Sequence, residues 1–393
     1  MMALWMGLAG SGVLWAAIGW RLHRIRLASP RLDSAASLSE PPPDLPRVSI
    51  LVPARNEILE LDACLGSLLE QDYPCFEILL ADDDSDDGTA ERARHLFEAT
   101  GRGRVLKVPP RPDGWTGKSW ALACAAREAS ADWFLFADAD VRCHPLALRI
   151  GLSELRRGGE DVLSLLPAMD CDSFLDRAVM PLFALLSALL FPMDQSNRPD
   201  QGAPRLSGAF MIIRRAAYEA VGGHAAIRRE LLDDLALGRE LKRGGHRIRL
   251  AYTRDLVRTR MYRSFSELWE GMVRFAWPLL GRSPLWAAAG VGAALLACWI
   301  PWLGLGVGLI SLTKTGSVAA AAMALLSWAL LAAPAGMLRE ILRILRLRAR
   351  ALIWMAPASA LMCAALFQSA RLCRRNGGVR WKGRSVPIRE TTR

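Results

Sequence analysis

No charged residue occurs between Met1 and Trp20, and Arg21, His23, Arg24 and Arg26 follow at once. A helix of roughly 20 apolar residues is long enough to cross the hydrocarbon of a bilayer. A cleaved signal peptide carries its positive charges ahead of the apolar stretch, not behind it. Residues 1–20 are therefore expected to be a transmembrane signal anchor. Basic residues favour the cytoplasmic side, which puts the N-terminus outside and everything after Arg21 inside.

Apolar sequence returns at Leu285 and dominates residues 285–370. Leu285 to Thr313 is one long tilted helix or two short ones broken near Pro301, and Gly316 to Leu338 is long enough for a second span. From Ile341 to Arg350, Ile and Leu alternate with Arg, the pattern of a helix lying on an anionic membrane surface. Ala351 to Gln368 is a shorter apolar run, and residues 371–393 form a basic tail. Both basic blocks favour the cytoplasm, yet a span lies between them. Either the last apolar segment is re-entrant or one block is outside.

The 52% hydrophobic and 23% charged content excludes a disordered or collagen-like chain. The net charge of +11 comes from basic residues that flank apolar segments. Nucleic-acid binding would interleave them with stacking aromatics, so a membrane partner is expected and a nucleic acid is not. Eight cysteines are scattered without a CxxC pair or a Cys/His cluster. That pattern excludes structural zinc and a disulfide framework, and fits a reducing compartment.

The Ser-, Pro- and Asp-rich stretch from Leu27 to Pro46 has no periodicity, which makes residues 21–46 a linker. Residues 47–284 change character, with short apolar runs alternating with amphipathic stretches. Val48–Val52, Phe76–Ala81, Val105–Val108 and Trp133–Ala137 are expected strands. Glu60–Gln71, Thr89–Thr100 and Lys118–Ala129 are expected helices. Such β-α alternation predicts an α/β domain with a mostly parallel sheet covered on both faces, which binds ligands at the carboxyl ends of its strands. Within it, Met180–Met193 is apolar but too short to span, so 173–193 is expected as a buried or interfacial helix.

Chemistry-bearing residues cluster at those strand ends. Val52-Pro-Ala-Arg-Asn-Glu57 closes the first strand, bringing Pro53, Ala54 and Glu57 to the sheet edge. Ala81-Asp-Asp-Asp-Ser-Asp-Asp-Gly-Thr89 closes the second with five carboxylates in six positions. That is more than turn or cap chemistry needs, and costly by self-repulsion unless a cation or hydrogen-bond donors compensate. Asp138-Ala-Asp140 closes a third, where alternation along an extended chain points both carboxylates the same way. Two oxygen ligands side by side suit Mg²⁺ or Mn²⁺, which keep waters and bridge to substrate phosphates. Asp113-Gly-Trp-Thr-Gly-Lys118 lacks the P-loop spacing but offers backbone donors and a cation at a helix start, suited to a diphosphate. Asp233 and Asp234 head a helix with Leu231, Leu235 and Leu241 as its expected buried face; each is a candidate cap or general base. Arg274 and Trp277 precede the membrane block, as interface anchors or as site residues.

In this order the motifs resemble the family 2 glycosyltransferases of the GT-A fold. The matches are Pro53/Asn56/Glu57, Asp82/Asp83/Ser85/Asp87/Gly88/Thr89, Asp138/Asp140 and Asp233/Asp234, over about residues 47–280. Gly114-Trp-Thr-Gly-Lys-Ser-Trp-Ala121, Leu206-Ser-Gly-Ala-Phe-Met-Ile-Ile-Arg-Arg215, Val221-Gly-Gly223 and Trp381-Lys-Gly-Arg384 are similar to the membrane subgroup that includes hopene-associated and carotenoid glycosyltransferases. The resemblance implies a nucleotide-diphosphate sugar held by Pro53, Ala54, Glu57, Asp83, Lys118, Asp138, Arg274 and Trp277. It also implies a metal on Asp140 helped by Asp138, and a base at Asp234 beside Asp233. Two departures stand out. Arg55 occupies a position that is often aromatic, and Gly271-Met-Val-Arg-Phe275 replaces the Q-x-x-R-W of processive synthases. The second favours a single inverting transfer, to a lipid hydroxyl at the cytoplasmic face of the inner membrane. A polyisoprenyl-phosphate sugar synthase and a non-catalytic membrane scaffold are the alternative readings.

Overall fold

Strands buried on both faces must be apolar at consecutive positions, and the middle of this chain supplies such runs. In the computed structural model they form β1 (Val48–Ala54), β2 (Phe76–Asp82), β3 (Gly103–Lys107), β4 (Trp133–Ala137), β5 (Val141–Cys143), β6 (Val162–Leu166), β7 (Ala168–Met169), β8 (Phe210–Arg214), β9 (Ile248–Tyr252) and β10 (Val257–Thr259). The structure describes residues 1–35, 46–198, 206–280, 283–376, 378–381 and 384–387. Residues 36–45 of the expected linker, and 377, 382, 383 and 388–393 of the expected tail, lie outside the described residues.

The chain divides into two compact units, one of residues 25–170 and 191–261, the other of residues 1–24, 171–190 and 262–393. The first is α/β. Its seven-stranded sheet has the order β3-β2-β1-β4-β8-β6-β9. All neighbours are parallel except those of β8, which runs antiparallel to both β4 and β6. The expected mostly parallel sheet is present. A second sheet, β5-β10-β7, flanks the connection that follows β4.

Alternation along β1 sends Ile50 and Val52 to one face and Leu51 to the other. The first face packs on Leu61, Leu65 and Leu68 of the helix Ile58–Leu69. The second packs with Leu122 and Ala125 of the helix Gly117–Glu128 and Leu237 and Leu241 of the helix Asp233–Arg243. On that last helix the buried face is Ala236, Leu237 and Leu241 rather than the expected Leu231, Leu235 and Leu241. The helix starts at Asp233, so Leu231 precedes it, and Leu237 and Leu241 are the i, i+4 pair. Part of the expected linker is fastened to this unit. Leu32 N–H donates to Tyr252 O over 3.0 Å, and Ser34 Oγ to Asp255 over 2.5 Å.

The second unit is helical. Five helices among the described residues are long and apolar enough to cross a membrane: Met2–Ala28, Phe174–Ser196, Pro284–Thr315, Val318–Met337 and Ala349–Arg374. The first extends beyond Trp20 through the basic cluster. The second is longer than the apolar run Met180–Met193, because Ser173 and Asp176 cap each other's backbone N–H groups and start the helix earlier. Pro284–Thr315 is continuous, with a π-turn at Leu295–Trp299 just ahead of Pro301. The Ile341–Arg350 stretch is a shorter helix than expected, ending at Ile344, and Arg346 then takes the left-handed conformation at φ 54°.

Candidate active site

The loops after β1 and β2 are stapled together by the side chains of the acidic motif. Glu57 N–H donates to Thr89 Oγ1 (3.0 Å), Ile58 N–H to Asp87 Oδ2 (3.1 Å) and Asn56 N–H to Ser85 Oγ (3.0 Å). Asn56 returns a bond by accepting from Asp86 N–H at 3.0 Å. Asn56 and Asp84 sit in the left-handed region, φ 55° and 60°, which short polar side chains tolerate. Asp87 and Ser85 are thus structural. Burial opposes the Asp87 charge, but donors from Thr89 and Ile58 outweigh it and hold the carboxyl below its usual range. Asp83 is tied to Arg55, whose Nη1 donates to Asp83 O at 2.5 Å and lies 3.9 Å from Oδ2. Arg55 therefore clamps the neighbouring acidic loop where an aromatic was the alternative. Ala54 is buried behind Asp83, accepting its N–H at 2.9 Å, and Pro53 pairs with Ala81 in the sheet.

Lys118 is the hub of the second cluster. Thr116 caps the helix by accepting from Ser119 N–H, which brings Lys118 into the first turn. Lys118 Nζ lies 2.7 Å from Asp138 Oδ1 and 3.4 Å from Asp233 Oδ2. Desolvation works against the ammonium, but Asp138, then Asp233 and Asp234, outweigh it and hold Lys118 well above the ordinary lysine range. The same ammonium holds Asp233 below the usual carboxylate range against the effect of burial. Gly208 lets these groups meet. A Cβ there would sit 2.9 Å from Lys118 Nζ, 3.8 Å from Asp138 Oδ2 and 4.0 Å from Asp234 Cβ. Asp234 Oδ1 accepts from Leu235 N–H at 2.8 Å.

Asp138 and Asp140 lie in the turn between β4 and β5 and not on an extended strand, so their partners differ. Asp138 faces Lys118, whereas Asp140 accepts from Thr259 Oγ1 of β10 at 3.1 Å. Desolvation, with Asp138 and Glu57 nearby, raises the Asp140 carboxyl to about 7. Glu57, Asp138 and Asp140 thus gather more negative charge than Lys118 neutralises, and Asp82 Oδ1 is buried without a hydrogen-bond partner. No three His, Cys, Asp or Glu groups among the described residues form a ready ligand shell. Mg²⁺ and Mn²⁺ are held by one or two carboxylates together with waters and substrate phosphates, so the donor set fits such an ion on Asp140 and Asp138.

Of the expected site residues, Pro53, Ala54, Glu57, Asp83, Lys118, Asp138, Asp140, Asp233 and Asp234 all belong to the α/β unit. Arg274 and Trp277 belong to the helical unit. There Arg274 lies over the Phe275 ring, and Trp277 is buried, its backbone N–H donating to Ser369 Oγ at 3.1 Å. Residue-by-residue reading misses Thr259, which carries no local signal.

Residues 49–222 match the family described as Glycosyl transferase family 2. Over 234 residues it is 28% identical to "4,4'-diaponeurosporenoate glycosyltransferase" of Staphylococcus aureus (strain USA300), covering 58% of this chain and 60% of the relative. The protein of the same name from the bovine strain RF122 / ET3-1 is 29% identical over 197 residues, 49% of this chain and 50% of its own length. The chain thus spans half to three-fifths of these curated relatives. The fold is similar to the solved "Mannosyltransferase PcManGT from Pyrobaculum calidifontis in complex with GDP-Man and Mn2+", with TM-score 0.55 and 19% identity, over 95% of this chain and 99% of that one. The α/β unit is GT-A-like.

Replacing Asp87 with Ala should destabilise the protein by about 1–3 kcal/mol, the cost of leaving buried donors without their charged acceptor. Because the Asp87 pKa is depressed in the folded state, this stabilisation is present above about pH 4 and fades below it. Denaturant unfolding of native and variant protein should therefore converge as pH falls through that range.

Proposed function

We propose that this protein transfers a single sugar from a nucleotide-diphosphate sugar to a membrane lipid, with inversion at the anomeric carbon. The observation that carries the proposal is the Lys118–Asp138–Asp233 cluster with Asp140 beside it, at the carboxyl ends of β1, β2 and β4 in a family 2 domain. Glu57, Asp83 and the backbone around Pro53 and Ala54 hold the nucleoside, and Lys118 holds the diphosphate. A divalent ion on Asp140 and Asp138 would supply positive charge to the leaving diphosphate. Asp234 takes the proton of the acceptor hydroxyl. The lipid acceptor is supported by the apolar helices and by the 4,4'-diaponeurosporenoate after which the relatives are named.

Backbone connectivity supports a membrane topology. Phe174–Ser196 has the length of a span, but β6 and β8, on either side of it, hydrogen-bond in one sheet. Both flanks must lie on the same side, so this helix is interfacial or re-entrant. Ala349–Arg374 behaves likewise. Trp269 Nε1–H donates to Gln368 and Arg374 stacks over Trp277, so its far end returns beside the helix Phe265–Leu279 that precedes the Pro284 span. Three crossings remain: Met2–Ala28, Pro284–Thr315 and Val318–Met337. With the N-terminus outside, the α/β unit, the arginines from 339 to 350 and the basic tail are all cytoplasmic, in keeping with the preference of basic residues for that side.

The testing experiment incubates detergent-solubilised protein with labelled sugar nucleotides, Mg²⁺ or Mn²⁺ and a total lipid extract. Label in the organic phase supports the proposal. Stability to alkali and mild acid marks a glycoside on a hydroxyl, alkali lability an ester, and acid lability a phosphate-linked sugar. Asp234→Asn should lower transfer by about 10²-fold or more while sparing donor binding. A fully active Asn variant would remove Asp234 from the base role. Asp140→Asn should weaken metal-dependent nucleotide binding in a calorimetric titration, and unchanged affinity would overturn the metal assignment. A fluorescent protein fused after Arg393 should fold and fluoresce in the cytoplasm, whereas a periplasmically active phosphatase at that position would refute the three-crossing topology.

A further inference from the structure

Asp138 and Asp140 are separated by one residue and are held in different ways. Asp138 Oδ1 lies 2.7 Å from the Lys118 ammonium, so its partner is a cation. Asp140 Oδ2 takes a neutral donor, the Thr259 hydroxyl, at 3.1 Å. A hydroxyl has one proton to give, and this one goes to a single oxygen of a single carboxylate. Among the described residues no other hydrogen bond reaches Asp140.

Thr259 is itself fixed in place. It is buried on β10, the middle strand of the small sheet β5-β10-β7. Antiparallel pairing with β5 sets it opposite Val141, the residue after Asp140. On the other side, parallel pairing with β7 sets it opposite Met169, and Asp170 N–H donates to Thr259 O at 3.0 Å. Ion pairs brace the same strands. Arg142 of β5 reaches Glu60 at 3.0 Å and Asp170 at 3.8 Å, and Arg258 of β10 reaches Asp170 at 3.9 Å. Two heavy atoms on Cβ restrict χ1 of threonine, so a backbone held from both sides also directs the hydroxyl.

A carboxylate that is to hold a divalent ion must be oriented without giving up its charge to a competing cation. A neutral donor meets both conditions, and the bond to Oδ2 leaves Oδ1 for a ligand. We propose that Thr259 is a positioning residue for the ion: its hydroxyl fixes the Asp140 carboxylate through Oδ2, so that Asp140 offers Oδ1 in one orientation with its charge intact. The proposal rests on the assignment of the ion to Asp140 made above.

The test is a binding measurement on the full chain in detergent micelles and requires no sugar transfer. The probe is whichever of GDP and UDP the native protein binds more tightly, titrated calorimetrically with Mn²⁺ and again with EDTA. The gain in affinity on adding Mn²⁺ reads the ion. Thr259→Val keeps the shape of the side chain and removes the donor, and it should cut this gain about tenfold or more, the usual effect of losing a hydrogen bond to a metal-binding carboxylate. Thr259→Ser restores the hydroxyl and should stay within about threefold of the native gain. In an Asp140→Asn background Thr259→Val should have no further effect, because both changes act on the same contact. An unchanged gain in Thr259→Val, an equal loss in Thr259→Ser, or an undiminished effect in the Asp140→Asn background overturns the proposal. So does a loss that is equal with Mn²⁺ and with EDTA, which marks a general structural effect. Failure of the underlying assignment looks different: Asp140→Asn then keeps the native gain, or the native protein shows none, and the proposal falls with it.

Discussion

Negative charge gathered at one edge of the sheet is the constraint that the site is built around. β1, β2 and β4 all release their chains there, and the loops carry Glu57, the run Asp82–Asp87, Asp138 and Asp140, with Asp233 added from a helix. Carboxylates so close repel one another unless each finds donors or a cation. Asp87 takes backbone and hydroxyl donors, Asp83 takes Arg55, and Asp138 and Asp233 divide Lys118. Asp140 receives one hydroxyl from Thr259, while burial, then Asp138 and Glu57 nearby, raise its pKa. An ion with a diphosphate is the kind of ligand whose charges complete that balance.

The loops are set before any ligand arrives. Asn56, Ser85, Asp87 and Thr89 cross-link the turns after β1 and β2, and the strained backbones of Asn56 and Asp84 persist because those bonds over-determine them. Gly208 contributes by what it lacks, since any side chain there would meet the Lys118 ammonium. Preorganised charge of this kind acts most strongly on charge that develops during reaction.

Much of this was legible along the chain. The continuous apolar runs predicted β1, β2 and β4 to within a residue or two, and the excess of Asp over what a turn requires pointed to the sheet edge where the carboxylates gather. Local pattern cannot show pairing direction, so β8 was not distinguished as the antiparallel member. The Asp138-Ala-Asp140 spacing predicted carboxylates aimed alike, but the chain turns there and gives them different partners. Thr259 reaches Asp140 only through tertiary packing. The apolar length of Phe174–Ser196 gives no sign that β6 and β8, on either side of it, share a sheet.

Pro301 illustrates how the helical unit resolves a local defect by a distant contact. In an α-helix the carbonyl of residue 297 accepts from the N–H of residue 301, and proline has none. The chain widens into a π-turn at Leu295–Trp299, and Ala297 O instead accepts the indole N–H of Trp15 at 3.2 Å. A buried carbonyl left unpaired is costly, so the Trp15 bond ties the N-terminal helix to the helix Pro284–Thr315. Small residues complete the attachment. A Cβ on Gly304 would meet Ser327 Oγ at 2.5 Å and Leu8 Cδ2 at 2.9 Å, and one on Gly308 would meet the Ala324 backbone at 2.8 Å. Helices associate in lipid by close packing and hydrogen bonding, without a hydrophobic drive. The glycine pair four residues apart and the Trp15 bond therefore do for the helices Met2–Ala28, Pro284–Thr315 and Val318–Met337 what apolar burial does for the sheet.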